Sequence, residues 1–344
     1  MTYRILTSNS NNNVTTTTVA FVLGAVVAVA SVVLFFGAHD KKKTKKNMKP
    51  TCCVFKSLQD EEKILALYDE KLSQWPTTTY ESKYLTADRY GTIHIIISGP
   101  KDGRPMTLIP ACGLGAWSWI TNVGTWNQAG YRTYAIDNVG EGNKNVLKER
   151  GIIPQTGLEI AELYEDLIVN HLGIHQPVIV AGASIGGYVA TQLAIHKPKL
   201  VDKLVLFCSM GYGFTAKTIL VMICCMLFPL EFVQDWTLQW AFGKDPKVLD
   251  TFSKWFRLIM NGTMPTPIMP HSFTNEELEE VQVPTLAYVG TNDAVVGNPD
   301  TVTSRLNHIP NVTTRKLNSG HIPAVECYEQ INQEVIEFLG NGSK

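Results

Sequence analysis

Hydrophobic and polar positions change rhythm several times along the chain. Residues 8–18 (SNSNNNVTTTT) are polar and carry no hydrophobic period, which predicts a disordered leader over residues 1–18. Residues 19–38 (VAFVLGAVVAVASVVLFFGA) then run for twenty positions without a charge. At about 1.5 Å per residue such a run can cross a hydrocarbon core of about 30 Å, so a transmembrane helix is expected there. Its length, and the distance of Arg4 from it, favour an anchor over a cleaved secretory signal. Six lysines follow at once within residues 41–49. Basic flanks stay on the cytoplasmic side, so the expectation is a single-pass membrane protein with a basic juxtamembrane linker over residues 39–55 and its main domain in the cytosol. Membrane lipid would then be one partner.

Past residue 56 the pattern becomes that of a globular domain running to residue 344. Helical spacing of Ile64, Leu65, Leu67 and Leu72 predicts a helix over 61–73, ended by Trp75-Pro76. Strand patterns follow at 83–85 and 92–97, before the turn Gly99-Pro100-Lys101-Asp102-Gly103. Short apolar strands at 106–110, 131–137, 177–182, 203–208, 284–290 and 312–317 then alternate with helical patterns at 157–172, 185–196, 298–307 and 327–339. Such alternation predicts βαβ crossovers and an α/β fold, a mostly parallel sheet with helices on both faces. Between residues 211 and 283 no strand signal appears. The apolar run 219–230 (ILVMICCMLFPL) and the aromatics Phe232, Trp236, Trp240, Phe242, Trp255 and Phe256 predict a helical insertion over one edge of the sheet. Twelve residues are too few to span a bilayer.

Charge narrows the class of partner. Residues 1–50 hold seven bases against Asp40 alone, leaving 23 bases and 30 acids in the remainder, a balance of −7. A body that acidic argues against nucleic acid, whose phosphates need a basic surface. The seven cysteines are odd in number and form no CxxC unit, which excludes a disulfide scaffold and a structural zinc site and fits reduced thiols. Cys52 and Cys53, beside the lysines, are either palmitoylation sites or unmodified thiols. Asn13, Asn261, Asn311 and Asn341 begin Asn-x-Ser/Thr acceptor patterns, three of which would matter only in a lumenal body.

The segment that carries chemistry is Gly182-Ala183-Ser184-Ile185-Gly186-Gly187, placed between a buried strand and a helix. That is the context of a nucleophile elbow: glycines flank a serine because the sharp turn leaves no room for larger side chains. Serine alone is a poor nucleophile and needs a base oriented by an acid, expected in the chain order Ser, Asp or Glu, His. Asp293 follows the strand at 284–290, and His321 follows the strand at 312–317, 28 residues later. Strand carboxyl ends are where ligands gather on open α/β sheets. Among the eight histidines, only His321 combines that order with that context. Two backbone amides must face the developing oxyanion: Ile185, just after the serine, and one from Pro110-Ala111-Cys112-Gly113-Leu114-Gly115, with Cys112 the best candidate. A thiol-nucleophile role for Cys112 lacks a paired histidine.

At this point the chain resembles the α/β-hydrolase superfamily, and over about residues 73–339 the branch of bacterial carboxylesterases and arylesterases. The shared landmarks are Trp75-Pro76, residues 90–100 (YGTIHIIISGP), Trp119, residues 131–137 (YRTYAID), the serine elbow, residues 273–278 (FTNEEL) and Gly320-His321. The resemblance implies the α/β-hydrolase fold with a helical cap at about 211–283, a Ser184, Asp293, His321 triad, and esterase activity without cofactor or metal. The N-terminal run lies outside it. Where the family has His-Gly at the start of the oxyanion loop, this chain has Pro110-Ala111, without the bracing imidazole. Trp117 is a candidate for the acyl pocket, or simply core.

These features together predict a membrane-anchored serine hydrolase of carboxylic esters or thioesters, with a hydrophobic ester as substrate. An acyltransferase or carbon–carbon bond hydrolase could use the same triad, and a non-catalytic ligand-binding or interaction protein could keep the fold.

Overall fold

A computed structural model describes residues 52–77, 79–213 and 216–340. The chain separates into residues 1–47, outside the described residues, and a unit over residues 48–344. The predicted leader and transmembrane run therefore lie outside what is described. Among the described residues no helix is long and apolar enough to cross a membrane. The expected single-pass membrane location is corrected accordingly. The most apolar helix, over residues 216–227, has 12 residues, about 18 Å of rise, and the longest, over 246–262, is amphipathic. The expected linker also differs at its end, because Cys52, Val54 and Phe55 are buried in the domain core.

Among the described residues nine strands form one sheet: β1 (Tyr80–Ala87), β2 (Gly91–Ser98), β3 (Arg104–Ile109), β4 (Tyr131–Ile136), β5 (Val146–Leu147), β6 (Val178–Ala183), β7 (Val201–Phe207), β8 (Thr285–Gly290) and β9 (Val312–Leu317). Their order is β1-β2-β4-β3-β6-β7-β8-β9, with β5 pairing β2. From β4 to β9 all neighbours are parallel, while β1 and β2 form an antiparallel edge. Parallel strands need crossovers, and the helices supply them. Strand β6 is buried from Val178 to Ala181, as a strand covered on both faces must be.

The helices are α1 (Leu58–Leu72), α2 (Ile120–Gln128), α3 (Gly157–Glu165), α4 (Ile185–His196), α5 (Ala216–Leu227), α6 (Glu231–Phe242), α7 (Pro246–Gly262), α8 (Asn275–Glu279), α9 (Pro299–Leu306), α10 (Pro323–Glu326) and α11 (Tyr328–Leu339). Ser57 caps α1 by accepting from Asp60 N, and the helix buries Ile64, Leu67, Tyr68 and Leu72. Helices α5 to α8 occupy the stretch between β7 and β8 where the strand pattern lapses. They bury Leu238, Phe252 and Trp255, which is why that stretch is aromatic-rich. The sheet and its helices make this an α/β-hydrolase fold.

Candidate active site

Every side chain that the sequence singles out for chemistry hangs from the carboxyl end of a strand. Ser184 follows β6, Asp293 follows β8, His321 follows β9, and Cys112 follows β3. Ser184 has φ 52° and ψ −115°, a backbone conformation that L-residues rarely adopt. The glycines around it are forced by space. A Cβ on Gly182 would strike the carbonyl of Gly186, one on Gly186 the carbonyl of Ile109, and one on Gly187 the hydroxyl of Ser209. The elbow therefore packs backbone against backbone, with Ile185 starting α4. A first-turn amide has no carbonyl four residues back within the helix, so that of Ile185 is directed outward.

Ser184, Asp293 and His321 are 137 and 28 residues apart from serine to histidine and histidine to aspartate, yet converge on hydrogen-bond distance. His321 Nδ1 lies 2.8 Å from Asp293 Oδ2, and His321 Nε2 lies 2.8 Å from Ser184 Oγ. All three are about 5% exposed or less. Burial pushes the Asp293 carboxyl up, but the His321 ring and the amides of Val296 and Val295 outweigh it and hold the group below its ordinary value. An ionised Asp293 accepts from Nδ1–H, which leaves Nε2 as the acceptor for the Ser184 hydroxyl.

Residues that the sequence did not single out hold this arrangement. Glu326 Oε2 accepts from Gly320 N at 2.8 Å and its Oε1 from Ile322 N at 3.3 Å, bracketing His321 on both sides. The His321 amide donates to Ala241 O at 3.3 Å, tying it to the end of α6. Cys208, with φ 44°, receives the Gly290 amide on Sγ at 3.2 Å beneath Asp293. Burial, then the charge of Asp293, pushes its thiol well above the ordinary range, so it is a packed thiol and not a nucleophile. Among the described residues, Cys208, Asp293 and His321 are the grouping of side chains close enough to share a metal, and two of them belong to the Ser184 cluster. Only Glu326, five positions after His321, lies near enough in sequence to have been suspected.

A second serine–histidine–aspartate chain lies at the sheet edge. His94 Nε2 is 2.8 Å from Ser82 Oγ, and His94 Nδ1 is 2.9 Å from Asp137 Oδ2, with Tyr68 OH donating to Asp137 at 3.1 Å. Ser82 sits inside β1, paired with Ile96, with no helix start beside it to supply oxyanion donors. This network is structural, as the strand position of His94 implies.

Cys112 is exposed on the loop after β3, and Ile185 is buried. Trp117 is 1% exposed and lies against Phe252 and Trp255, with ring centroids 5.7 and 5.3 Å away. Ala111 does not take a positive φ; that role falls to Gly113, with φ 73°, so the departure at Pro110-Ala111 costs the loop no strain.

The family model described as serine aminopeptidase, S33, matches residues 120–318. The carboxylesterase YbfK of Bacillus subtilis (strain 168) is 26% identical over 301 residues, covering 84% of this chain and 98% of that protein. The crystal structure of carboxylesterase CesB (YbfK) from Bacillus subtilis superposes with a TM-score of 0.71 at 26% identity, covering 83% of this chain and 100% of that one. The naproxen esterase (carboxylesterase NP) of Bacillus subtilis, at 24% identity and a TM-score of 0.71, covers 82% of this chain and 98% of its own and shares the fold.

Proposed function

Because the chain belongs to the serine aminopeptidase, S33, family of hydrolases and is carboxylesterase-like along its body, we propose that it hydrolyses carboxylic esters through a Ser184, His321, Asp293 triad. The observation that carries this reading is the unbroken line Asp293 Oδ2, His321 Nδ1, His321 Nε2, Ser184 Oγ, each gap 2.8 Å, at a strained serine. Ser184 Oγ attacks the ester carbonyl while His321 Nε2 takes its proton. Asp293 holds the Nδ1–H tautomer and stabilises the imidazolium. The amides of Cys112 and Ile185 receive the oxyanion. His321 then protonates the departing alkoxide, and water repeats the sequence on the acyl-enzyme. The buried aromatics of α7 and Trp117 favour an apolar acyl or aryl group.

A fluorophosphonate probe tests the reading on the whole protein. Wild type is expected to label, Ser184→Ala not at all, and His321→Ala at least about a thousandfold more slowly. Parallel assays with p-nitrophenyl esters and aminoacyl p-nitroanilides separate ester from peptide chemistry. Faster turnover of the anilides would overturn the ester assignment; a folded wild type that stays unlabelled would overturn the triad.

A further inference from the structure

The loop after β3, Pro110 to Gly115, carries no side-chain oxygen or nitrogen of its own. One turn bond, from Leu114 N to Ala111 O at 3.1 Å, closes over Cys112-Gly113, and the rest of the loop's direction has to be imposed from outside. The loop after β4 does this at three points. Asn138 Nδ2 donates to Pro110 O at 3.0 Å, Gly113 N donates to Glu141 Oε2 at 2.8 Å, and Ala116 N donates to Asp137 Oδ1 at 2.6 Å. From the opposite side Trp255 Nε1 donates to Gly113 O at 2.7 Å. Asp137 is already engaged by His94 and Tyr68, and Asn138 grips only a carbonyl at the loop's start. Glu141, 4% exposed, accepts from Gly113 N, the amide of the peptide that joins Cys112 to Gly113, and its carboxyl interacts with the Cys112 thiol.

Resting on the serine-hydrolase reading of the site, we propose that Glu141 is a positioning residue for the oxyanion loop, aiming the Cys112 amide at the oxygen where charge develops by holding Gly113 N–H beside the Cys112 thiol. Burial pushes its carboxyl up to about 8 against the opposing hydrogen bonds from Gly113, Cys112 and Asn138, and the charge of Asp137 adds to the rise. At neutral pH Glu141 thus grips as a neutral acid and sets no negative charge beside the oxyanion. The titratable groups facing it are the Cys112 thiol, the Asp137 carboxyl and the Tyr164 hydroxyl of α3, which burial and then Glu141 push upward.

The test compares wild type, Glu141→Gln and Glu141→Ala as full chains, by p-nitrophenyl ester hydrolysis across pH and by thermal unfolding. Glu141→Ala is expected to lower kcat about 30- to 100-fold with KM within about threefold, the signature of lost transition-state stabilisation. Glu141→Gln keeps an oxygen for the Gly113 amide, so kcat is expected to return to within about fivefold of wild type. Wild type is expected to lose kcat/KM as pH rises through about 8, and Gln to remove that fall. A readout independent of turnover is alkylation of Cys112 by iodoacetamide, followed by mass spectrometry. It should be at least about fivefold faster in Glu141→Ala and unchanged in Glu141→Gln, because the thiol loses its acceptor only in the first. A folded Glu141→Ala with kcat near wild type and unchanged alkylation would overturn the inference, as would a folded Glu141→Gln as slow as the alanine variant. A wild type that labels with no fluorophosphonate would sink the hydrolase reading and the oxyanion role with it, while the alkylation rates still judge the brace.

Discussion

His321 and His94 each lie between a serine hydroxyl and a buried carboxylate at nearly the same distances. What separates them is the serine. Ser184 starts a helix in a strained turn, whereas Ser82 lies in the regular extended backbone of an edge strand with no helix start beside it. The two histidines should therefore separate on activity and not on stability. Each alanine variant strips a partner from a buried carboxylate, Asp293 or Asp137, and should cost about 2–4 kcal/mol, seen as a Tm loss of several degrees. His321→Ala is expected to lose fluorophosphonate labelling as well, while His94→Ala keeps it. Equal labelling of the two folded variants would contradict this division. The strain at Ser184 adds a further expectation. Glycine tolerates φ 52°, so Ser184→Gly should be inactive yet more stable by about 1 kcal/mol in chemical denaturation. A less stable glycine variant would show that the backbone there is not strained.

At the scale of elements, the decisive contact is the start of α4 against the end of β3. A Cβ on Gly186 would strike the carbonyl of Ile109 and come within 2.6 Å of the Pro110 carbonyl, so the helix and the loop after β3 touch through backbone alone. Gly186→Ala has to push the two apart and should lower Tm by about 5 °C or more while reducing fluorophosphonate labelling at least about tenfold. Normal stability and labelling in that variant would mean the elbow is looser than its geometry. Element boundaries were legible where periodicity was long. The expected helix at 185–196 and strand at 312–317 match α4 and β9. Other elements were not legible, α10 among them. Strand β5 is two residues long, too short for any period, and α2 (ITNVGTWNQ) mixes β-branched, polar and glycine residues that hide its buried stripe of Val123 and Trp126. The helix expected over 157–172 changes at Asp166 into a π-helical turn to His171.

At the scale of the whole molecule, the buried acids near the site make stability depend on pH. Below about pH 4.5 Glu141 holds its proton folded or unfolded. Between there and about 8 the unfolded chain has released the proton while the folded one retains it, so stability falls as pH rises across this window. Glu141→Gln does not titrate, so its Tm advantage over wild type should grow from pH 5 to pH 8 and then level off. A constant difference across that range would show that Glu141 ionises normally in the fold. The same convergence that buries these groups draws the ends of β3, β4, β6, β8 and β9 to one edge, where sites form on open α/β sheets.

The sequence by itself determined the α/β alternation, the serine elbow, and the order of serine, aspartate and histidine. Each of these depends on local period, on glycine's small size, or on position at a strand's end, and all are written along the chain. It also pointed to a membrane-spanning run, and no described helix is long and apolar enough to cross a membrane. Only the tertiary structure decided which of two serine–histidine–aspartate chains stands at a helix start, and which side chains grip the loop after β3. Glu141 and Gly113 are 28 positions apart, and His94 and Asp137 are 43. Such pairings follow from how strands order themselves in a sheet, and that order is set by packing the whole core at once.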